Sequence, residues 1–168
     1  MQTLTVLVLE DEPFQRLVTV TALEKLMLGT VLQAADGNEA VLTLAGCEHV
    51  DILLCDLKMA GMDGLAFLRH ATSSGKVRAV VLCSGLDPVL RQATVLMIHC
   101  LGLTFLGDLG KPFNIEGFNQ LVKRYKTHCN AAPRLLLPAE MPTLNDVLQG
   151  LDNGAFEAYY QPKINLQG

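Results

Sequence analysis

Short apolar segments alternate with helical segments along this chain, and this alternation limits its fold more than any other feature. Between Leu4 and Lys126, five apolar, β-rich runs are each followed by a stretch with helical spacing. Strict alternation of strand and helix is typical of a parallel sheet with helices on both faces. Because crossovers between parallel strands are right-handed, the pattern predicts an α/β, doubly wound, five-stranded sheet.

The expected strand order is 2-1-3-4-5, the common doubly wound order known as flavodoxin-like. The apolar runs predict strands over residues 4–9, 30–34, 50–55, 79–83 and 103–106. Helical spacing predicts helices over residues 14–28, 40–47, 64–72 and 88–100, and from a cap at Asn114 through Lys126. In the first helix the spacing defines one apolar face, made of Phe14, Leu17, Val18, Ala22 and Leu26.

Composition narrows the class of protein. Half of the 168 residues are apolar and 18% are charged, which is enough apolar material for a sizeable core. The net charge of −4, without a basic run, argues against binding to a nucleic-acid polymer. No apolar stretch reaches about 18 residues and no basic signal-peptide region opens the chain, so we expect no membrane insertion. The five cysteines lack metal or disulfide spacing, which favours a reducing, cytoplasmic location.

The third predicted strand runs directly into Asp56, at the edge where open α/β sheets place ligands and chemistry. Glu10 and Asp11 follow the first strand in the same way. Strands 1 and 3 are neighbours in the predicted order, so the three carboxylates are expected to converge in one crevice. Considered alone, Asp56 would more often cap a turn or the following helix.

Convergent carboxylates repel one another unless one is protonated or a cation lies between them. Oxygen ligands at a partly wet site favour Mg²⁺. Ser84 and Lys111 follow strands 4 and 5 and project from the same edge, although alone they would be a strand-end hydroxyl and a solvated lysine. The whole set suits phosphoryl transfer to Asp56 as nucleophile, with Mg²⁺ and Lys111 neutralising the phosphoryl oxygens and Ser84 donating a hydrogen bond.

Four short motifs give residues 1–128 a resemblance to response-regulator receiver domains. The motifs are Leu-Glu-Asp-Glu-Pro (9–13), Cys-Asp-Leu-Lys-Met-Ala-Gly-Met-Asp-Gly (55–64), Cys-Ser-Gly (83–85) and Gly-Lys-Pro-Phe (110–113). The resemblance implies that Asp56 is the phosphoacceptor and that a histidine kinase or phosphotransfer protein is the donor. It implies a Mg²⁺ site made by the side chains of Glu10, Asp11 and Asp56 and the backbone carbonyl of Lys58.

The resemblance also assigns the residues that sense the phosphoryl group. Ser84 would be the switch hydroxyl and Lys111 the phosphate partner, with a cis bond at Lys111–Pro112. Two positions depart from the family pattern: Ala60 replaces the usual Pro, and Asp108 stands where many receivers carry Tyr or Phe. A signal is therefore expected to use another route across the face of helix 4, strand 5 and helix 5, which is also the candidate surface for a homo-oligomer.

The remaining residues predict a linker and the start of a second domain. Residues 129–143 hold three prolines and predict a linker. Residues 144–168 predict a helix, a turn and a Tyr-Tyr-Gln-Pro strand, and are similar to the opening of EAL domains, the cyclic di-GMP phosphodiesterases. The whole arrangement resembles receiver–EAL regulators of the RocR type. By this resemblance Gln161 would line the nucleotide pocket of the full-length parent, at the end of the first barrel strand.

One strand cannot close a barrel, so this truncated N-terminal piece of an EAL barrel is expected to have no phosphodiesterase activity. The predicted function is thus a phosphorylated receiver that controls an attached EAL domain. Two alternatives stay open. One is a pseudo-receiver that is not phosphorylated and only mediates protein contacts. The other is a small phosphatase or phosphotransferase with an Asp nucleophile, although such enzymes usually carry a DxD pattern directly after strand 1.

Overall fold

A computed structural model describes residues 3–59 and 64–130, and within them five strands alternate with five helices. The strands are β1 (Leu4–Leu9), β2 (Gly29–Ala34), β3 (Val50–Cys55), β4 (Val77–Leu82) and β5 (Thr104–Asp108). The helices are α1 (Pro13–Lys25), α2 (Gly37–Gly46), α3 (Gly64–Ser74), α4 (Pro88–Cys100) and α5 (Ile115–Asn130). All pairings are parallel, in the order β2-β1-β3-β4-β5, so the predicted flavodoxin-like doubly wound sheet is confirmed.

Apolar residues of the central strands fill two cores, one on each face of the sheet. All six residues of β3 are buried, as expected for a strand covered on both sides. The core on one face includes Leu44 of α2, Phe67 of α3 and Ile98 of α4. The core on the other face includes Leu23 of α1 and Phe118 of α5. Helices α2, α3 and α4 therefore cover one face and α1 and α5 the other.

Helix α1 ends earlier than its sequence predicts. The predicted helix reaches residue 28, whereas α1 ends at Lys25, and Met27 follows with a φ of 46°. The reason is the pairing of β2 with β1, since Leu4 donates its N–H to the carbonyl of Leu28 at 2.9 Å and pairs with Gly29. Glycine is required at position 29 because its φ is +147° and a Cβ would lie 2.2 Å from the carbonyl oxygen of Leu4.

The predicted apolar face of α1 is only partly its buried face: Ala22 and Leu26 are half-buried, and Leu26 packs against the core, but the other three members are exposed. Phe14 and Leu17 are 70% and 62% exposed, whereas the buried residues are Thr19, Val20 and Leu23. Arg16, which lies on the same face as Val20 and Leu23, donates to the carbonyl of Glu10 at 2.7 Å. This contact at the carboxyl edge of the sheet is consistent with the rotation that buries Thr19, Val20 and Leu23. An apolar stripe that includes Phe14, Leu17 and Val18 is left exposed.

Strand β5 is longer than predicted and contains a bulge. Its register against β4 shifts between Val80 and Val81, which leaves Leu106 as the extra residue. Leu106 belongs to the core beneath α1 and α5, and a Cβ on Gly107 would meet the side chain of Leu121 in α5. Two successive residues, Leu106 and Gly107, thus face α5. Asp108 lies beyond the predicted end of the strand, but in the structure it is the last residue of β5 and faces α4.

A buried polar cluster joins α5 to the amino ends of the strands. Asp51, only 3% exposed, accepts hydrogen bonds from the N–H of Thr5 at 2.9 Å and from Arg78 at 2.9 Å. The hydroxyl of Tyr125 on α5 donates to the same carboxylate at 3.1 Å. These partners compensate the cost of burying the charge.

Helix α5 continues to Asn130, two residues into the predicted linker. The predicted limits 1–128, 129–143 and 144–168 stay predictions, because residues 131–168 lie outside the described residues. The predicted tail helix and strand, Gln161 and the position of Ala60 lie outside them too. None of the described helices combines the length and apolar character needed to cross a membrane.

Candidate phosphoacceptor site

The carboxyl ends of β1 and β3 bring three acidic side chains together. Leu9 pairs with Cys55, and Asp56 donates its N–H to the carbonyl of Leu9 at 2.9 Å. Glu10 and Asp56 therefore leave adjacent strands at the same edge of the sheet. Carboxylate oxygens of Glu10, Asp11 and Asp56 all lie within 4.8 Å of one another. The convergence predicted from the strand order is present in the structure.

Burial makes this acidic cluster electrostatically costly. Glu10 is 5% exposed and Asp56 is 3% exposed, while Asp11 is half-buried. Burial raises the pKa of Glu10 above its ordinary value of 4.5, and this effect exceeds the lowering by the nearby Lys111 ammonium. The negative charge of Asp56 raises the same pKa further. The site therefore has a deficit of positive charge.

Lys111 bridges two of the carboxylates. Its Nζ lies 2.5 Å from Oδ2 of Asp56 and 2.8 Å from Oε2 of Glu10. Burial by itself would lower the pKa of Lys111, but the hydrogen bonds and negative charges of Asp56 and Glu10 outweigh it and raise the pKa. The ammonium therefore stays charged at neutral pH. The peptide bond between Lys111 and Pro112 is cis, which confirms that expectation.

Ser84 follows β4 and is 1% exposed. The N–H of Cys83 donates to the carbonyl of Cys55 at 3.0 Å, so the chain before Ser84 runs beside the chain before Asp56. Within the described part of the chain, the Oγ of Ser84 has no hydrogen-bond partner. Buried hydroxyls without partners are rare and costly in folded proteins. This unpaired hydroxyl is a feature that requires a functional explanation.

The loop after Asp56 is held by Lys58. Its backbone N–H donates to Oδ1 of Asp56 at 2.9 Å, and its Nζ donates to the carbonyl of Gly85 at 3.0 Å. The first contact fixes one oxygen of Asp56 while Lys111 holds the other. The assignment of the Lys58 carbonyl as a metal ligand stays a prediction.

Two contributions to the site were missed at the level of sequence. Arg16 donates to the backbone carbonyls of Glu10 and Asp11, at 2.7 and 3.3 Å, and so fixes the acidic loop. The Sγ of Cys83 donates to the carbonyl of Gly110 at 3.1 Å, next to Lys111, and burial raises the pKa of this thiol to about 12. Helical spacing could have indicated Arg16, because it precedes Val20 and Leu23 by one and two turns.

The donor set fits a divalent cation with a preference for oxygen. Three carboxylates face one ammonium, which leaves excess negative charge at an edge where Asp11 is still partly exposed. Mg²⁺ binds carboxylate oxygens while keeping several waters, and so suits a site that is open on one side. The residues present are therefore compatible with Mg²⁺ at the acidic cluster.

The sheet and its acidic, lysine-bridged edge define the class of protein: a doubly wound α/β domain with its site at the switch point of the strand order. The family model of the response regulator receiver domain matches residues 6–126, which is most of the chain. The chain belongs to the response regulator receiver family.

Two curated relatives come from Pseudomonas aeruginosa. The chain is 62% identical, over all 168 of its residues, to the cyclic di-GMP phosphodiesterase RocR, and it covers 43% of that protein. It is 28% identical over 122 residues to a positive alginate biosynthesis regulatory protein, covering 72% of this chain and 46% of that one. The chain thus spans less than half the length of either relative.

Solved structures share the fold. The chemotaxis protein CheY4 of Vibrio cholerae aligns over 74% of this chain and 99% of its own, with a TM-score of 0.61 and 23% identity. A response regulator receiver protein from Pseudomonas putida aligns over 74% of this chain and 98% of its own, with a TM-score of 0.61 and 22% identity. These likenesses concern the fold alone.

Proposed function

We propose that the chain is the phosphorylated receiver part of a two-component response regulator. In the proposed reaction an oxygen of Asp56 attacks the phosphorus of a phosphohistidine on a histidine kinase or phosphotransfer protein. A phosphorus–oxygen bond forms, the bond from phosphorus to the imidazole nitrogen breaks, and the imidazole leaves with that electron pair. Asp56 becomes an acyl phosphate.

The observation that carries this proposal is the bridge that Lys111 makes between Asp56 and Glu10. A charged ammonium 2.5 Å from the nucleophilic carboxylate is within reach of phosphoryl oxygens attached there. Positioned positive charge is most of what phosphoryl transfer requires from a protein. Asp56 and Glu10 raise the pKa of Lys111, so its ammonium is charged at neutral pH.

The other site residues have supporting roles in the proposal. Glu10, Asp11, Asp56 and the backbone carbonyl of Lys58 would hold Mg²⁺, which when bound neutralises charge on the phosphoryl oxygens. The unpaired hydroxyl of Ser84 is available to donate a hydrogen bond to the phosphoryl group. Lys58 keeps one oxygen of Asp56 in a fixed orientation through its backbone N–H.

The proposed output is an attached EAL cyclic di-GMP phosphodiesterase. Its support is the 62% identity to a relative named as a cyclic di-GMP phosphodiesterase, of which this chain covers 43%. In that full-length protein, Gln161 would line the nucleotide pocket, whereas the present residues alone would have no phosphodiesterase activity. The face of α4, β5 and α5 is the proposed surface for a homo-oligomer, and the absence of disulfides among the four described cysteines, Cys47, Cys55, Cys83 and Cys100, supports a cytoplasmic location.

The test is phosphorylation of the chain by acetyl phosphate with Mg²⁺, followed by intact-mass measurement. We expect the mass of one phosphoryl group to be added to the wild type, and none to Asp56→Asn or to wild type in EDTA. Asp87→Asn is the matched control, because Asp87 caps α4 and lies outside the acidic cluster. It should be phosphorylated as the wild type is.

Other outcomes would select the alternatives. No added mass in wild type, and no effect of beryllofluoride with Mg²⁺ on its spectrum, would mean a pseudo-receiver. Multiple turnovers of a small phosphate ester would mean a phosphatase. Phosphorylation of Asp56→Asn to the same extent as wild type would contradict the assignment of the phosphoacceptor.

A further inference from the structure

Asp108, the last residue of β5, makes two contacts in different directions. Its Oδ1 accepts the N–H of Gly110 at 2.8 Å, and Gly110 directly precedes Lys111. Its Oδ2 lies 2.8 Å from Nε of Arg91 on α4. The second contact is close enough to be an ion pair, but its geometry is not that of a hydrogen bond. One carboxylate therefore contacts both the loop that carries Lys111 and the helix that follows Ser84.

The pair formed by Arg91 and Asp108 differs from an ordinary surface salt bridge. The Asp108 side chain is 8% exposed and its Oδ2 is fully buried, while the Arg91 side chain is 49% exposed. Exposed pairs contribute little because water solvates both charges whether or not they meet. Here the carboxylate has little access to water, so the guanidinium of Arg91 and the N–H of Gly110 take the place of water around it.

The bulge in β5 directs Asp108 toward α4. Side chains of a regular strand alternate between the faces of a sheet, so an extra residue reverses the alternation beyond it. Phe105 packs on the α4 face, Leu106 and Gly107 face α5, and Asp108 faces α4 again. Without the bulge, Asp108 would face α5 and could not reach Arg91.

We infer that Asp108 is a positioning residue that couples the Lys111 loop to α4 through its ion pair with Arg91. The inference rests on the proposed phosphorylation of Asp56. Contacts run without a gap from Asp56 to Lys111, from Gly110 to Asp108, and from Asp108 to Arg91. When a phosphoryl group on Asp56 takes Lys111 as its partner, the loop shifts, and Asp108 carries the shift to α4.

The experiment uses the 168-residue chain with Mg²⁺ and beryllofluoride as the phosphoryl mimic. Asp108→Asn keeps the side-chain volume and an acceptor oxygen for Gly110 but removes the charge that pairs with Arg91. Arg91→Gln removes the other half of the pair, and a variant with both changes completes a double-mutant cycle. Asp87→Asn is the control, because it makes the same chemical change in the α4 cap without touching β5.

Three measurements separate coupling from simple structural support. Fluorine NMR reports whether beryllofluoride is bound. Amide hydrogen exchange reports the protection of residues 88–100 and, separately, of residues 109–114, with and without beryllofluoride. A merely structural role would change α4 exchange equally in both states. Loss of coupling would instead change the ratio of the α4 exchange rates measured with and without beryllofluoride.

In wild type and in Asp87→Asn, we expect beryllofluoride to alter exchange in α4 by about 5-fold or more. In Asp108→Asn, Arg91→Gln and the double variant we expect bound beryllofluoride and a normal response of residues 109–114. The α4 response should be lost to the same extent in all three variants, because each removes the same ion pair between Arg91 and Asp108. If Asp108→Asn binds beryllofluoride and its α4 response is unchanged, the inference is wrong but the proposed function stands. Wild type that fails to bind beryllofluoride would overturn the proposed function, and the inference with it.

Discussion

The charge of Glu10 is disfavoured in the folded domain. Its pKa is raised, first by burial and then by Asp56, even though Lys111 lies 2.8 Å away. A carboxyl group with a raised pKa in the folded state contributes stability at low pH that is lost as the pH rises through that pKa. The residue that completes the acidic cluster therefore lowers the stability of the metal-free domain, as is common at functional sites.

Glu10→Gln should increase the free energy of unfolding at pH 7 in EDTA. The amide keeps an oxygen that can accept from Lys111 and removes the buried charge. Urea unfolding between pH 4 and pH 8 checks this prediction, and the advantage of the variant should grow as the pH rises. Glu116→Gln, on an exposed acid of α5, is the control and should change stability by less than about 0.5 kcal/mol. If the stability advantage of Glu10→Gln over wild type shrinks toward pH 8, the pKa of Glu10 is not raised in the folded state.

At the scale of single elements, the start of α3 supports the site directly. A Cβ on Gly64 would lie 2.4 Å from the carbonyl oxygen of Asp56 and 2.9 Å from the Sγ of Cys55. The absence of a side chain lets the first turn of α3 pack against the backbone of Asp56. Any larger residue at this position would push the start of α3 away from Asp56.

Gly64→Ala should destabilise the domain by about 1–3 kcal/mol, because the added methyl overpacks a site bounded by backbone. It should also weaken beryllofluoride binding, measured by fluorine NMR, since the backbone of Asp56 must shift. Gly46→Ala is the matched control at the end of α2, where a Cβ meets nothing within 4 Å. We expect that change to be neutral or stabilising by up to about 1 kcal/mol. Equal effects of the two substitutions on binding would refute this account.

Tyr125 plays a comparable supporting part for α5. Tyr125→Phe removes a hydroxyl that donates to the buried carboxylate of Asp51. Because a hydrogen bond to a charged group contributes about 1.5–3 kcal/mol, we expect a loss of stability of that size, measured by urea unfolding. Thr127→Val, which removes an exposed hydroxyl from the same helix, should cost less than about 0.5 kcal/mol. A loss no greater than that of the control would argue against the cluster as an anchor for α5.

The sequence predicts the elements well where hydrophobicity is unambiguous. The run Val50–Cys55 is apolar except at Asp51, so both the position of β3 and the exit of Asp56 could be predicted. The rotation of α1 could not be predicted, because that helix carries apolar residues on more than one face and Arg16 contacts backbone carbonyls, which leave no sequence signal. The bulge at Leu106 could not either, since one extra residue leaves no local signature in a short apolar strand.

At the scale of the whole molecule, the site depends on pairings between distant parts of the chain. Glu10 and Lys111 are separated by 101 residues and meet because β1, β3, β4 and β5 end at one edge. Strand alternation was enough to predict that meeting. The contact between Arg91 and Asp108 was not predictable, because it needs both the bulge and the approach of α4.

Mg²⁺ should stabilise the whole domain. A ligand that binds only the folded state at 100 times its dissociation constant adds about 2.7 kcal/mol to the free energy of unfolding. Thermal unfolding with and without Mg²⁺ measures the effect, which should fall sharply in Asp11→Asn and persist in Glu116→Gln. Equal stabilisation of wild type and Asp11→Asn would show that the cation acts elsewhere.

The extra residue in β5 also affects how the sheet meets its surroundings. In the described part of the chain β5 pairs with β4 on one side only, so its other side presents open backbone groups. An exposed border strand can pair with the edge of another molecule, and a bulge in that strand interferes with such pairing. The same residue that turns Asp108 toward α4 thus gives the domain protection against forming strand-to-strand aggregates.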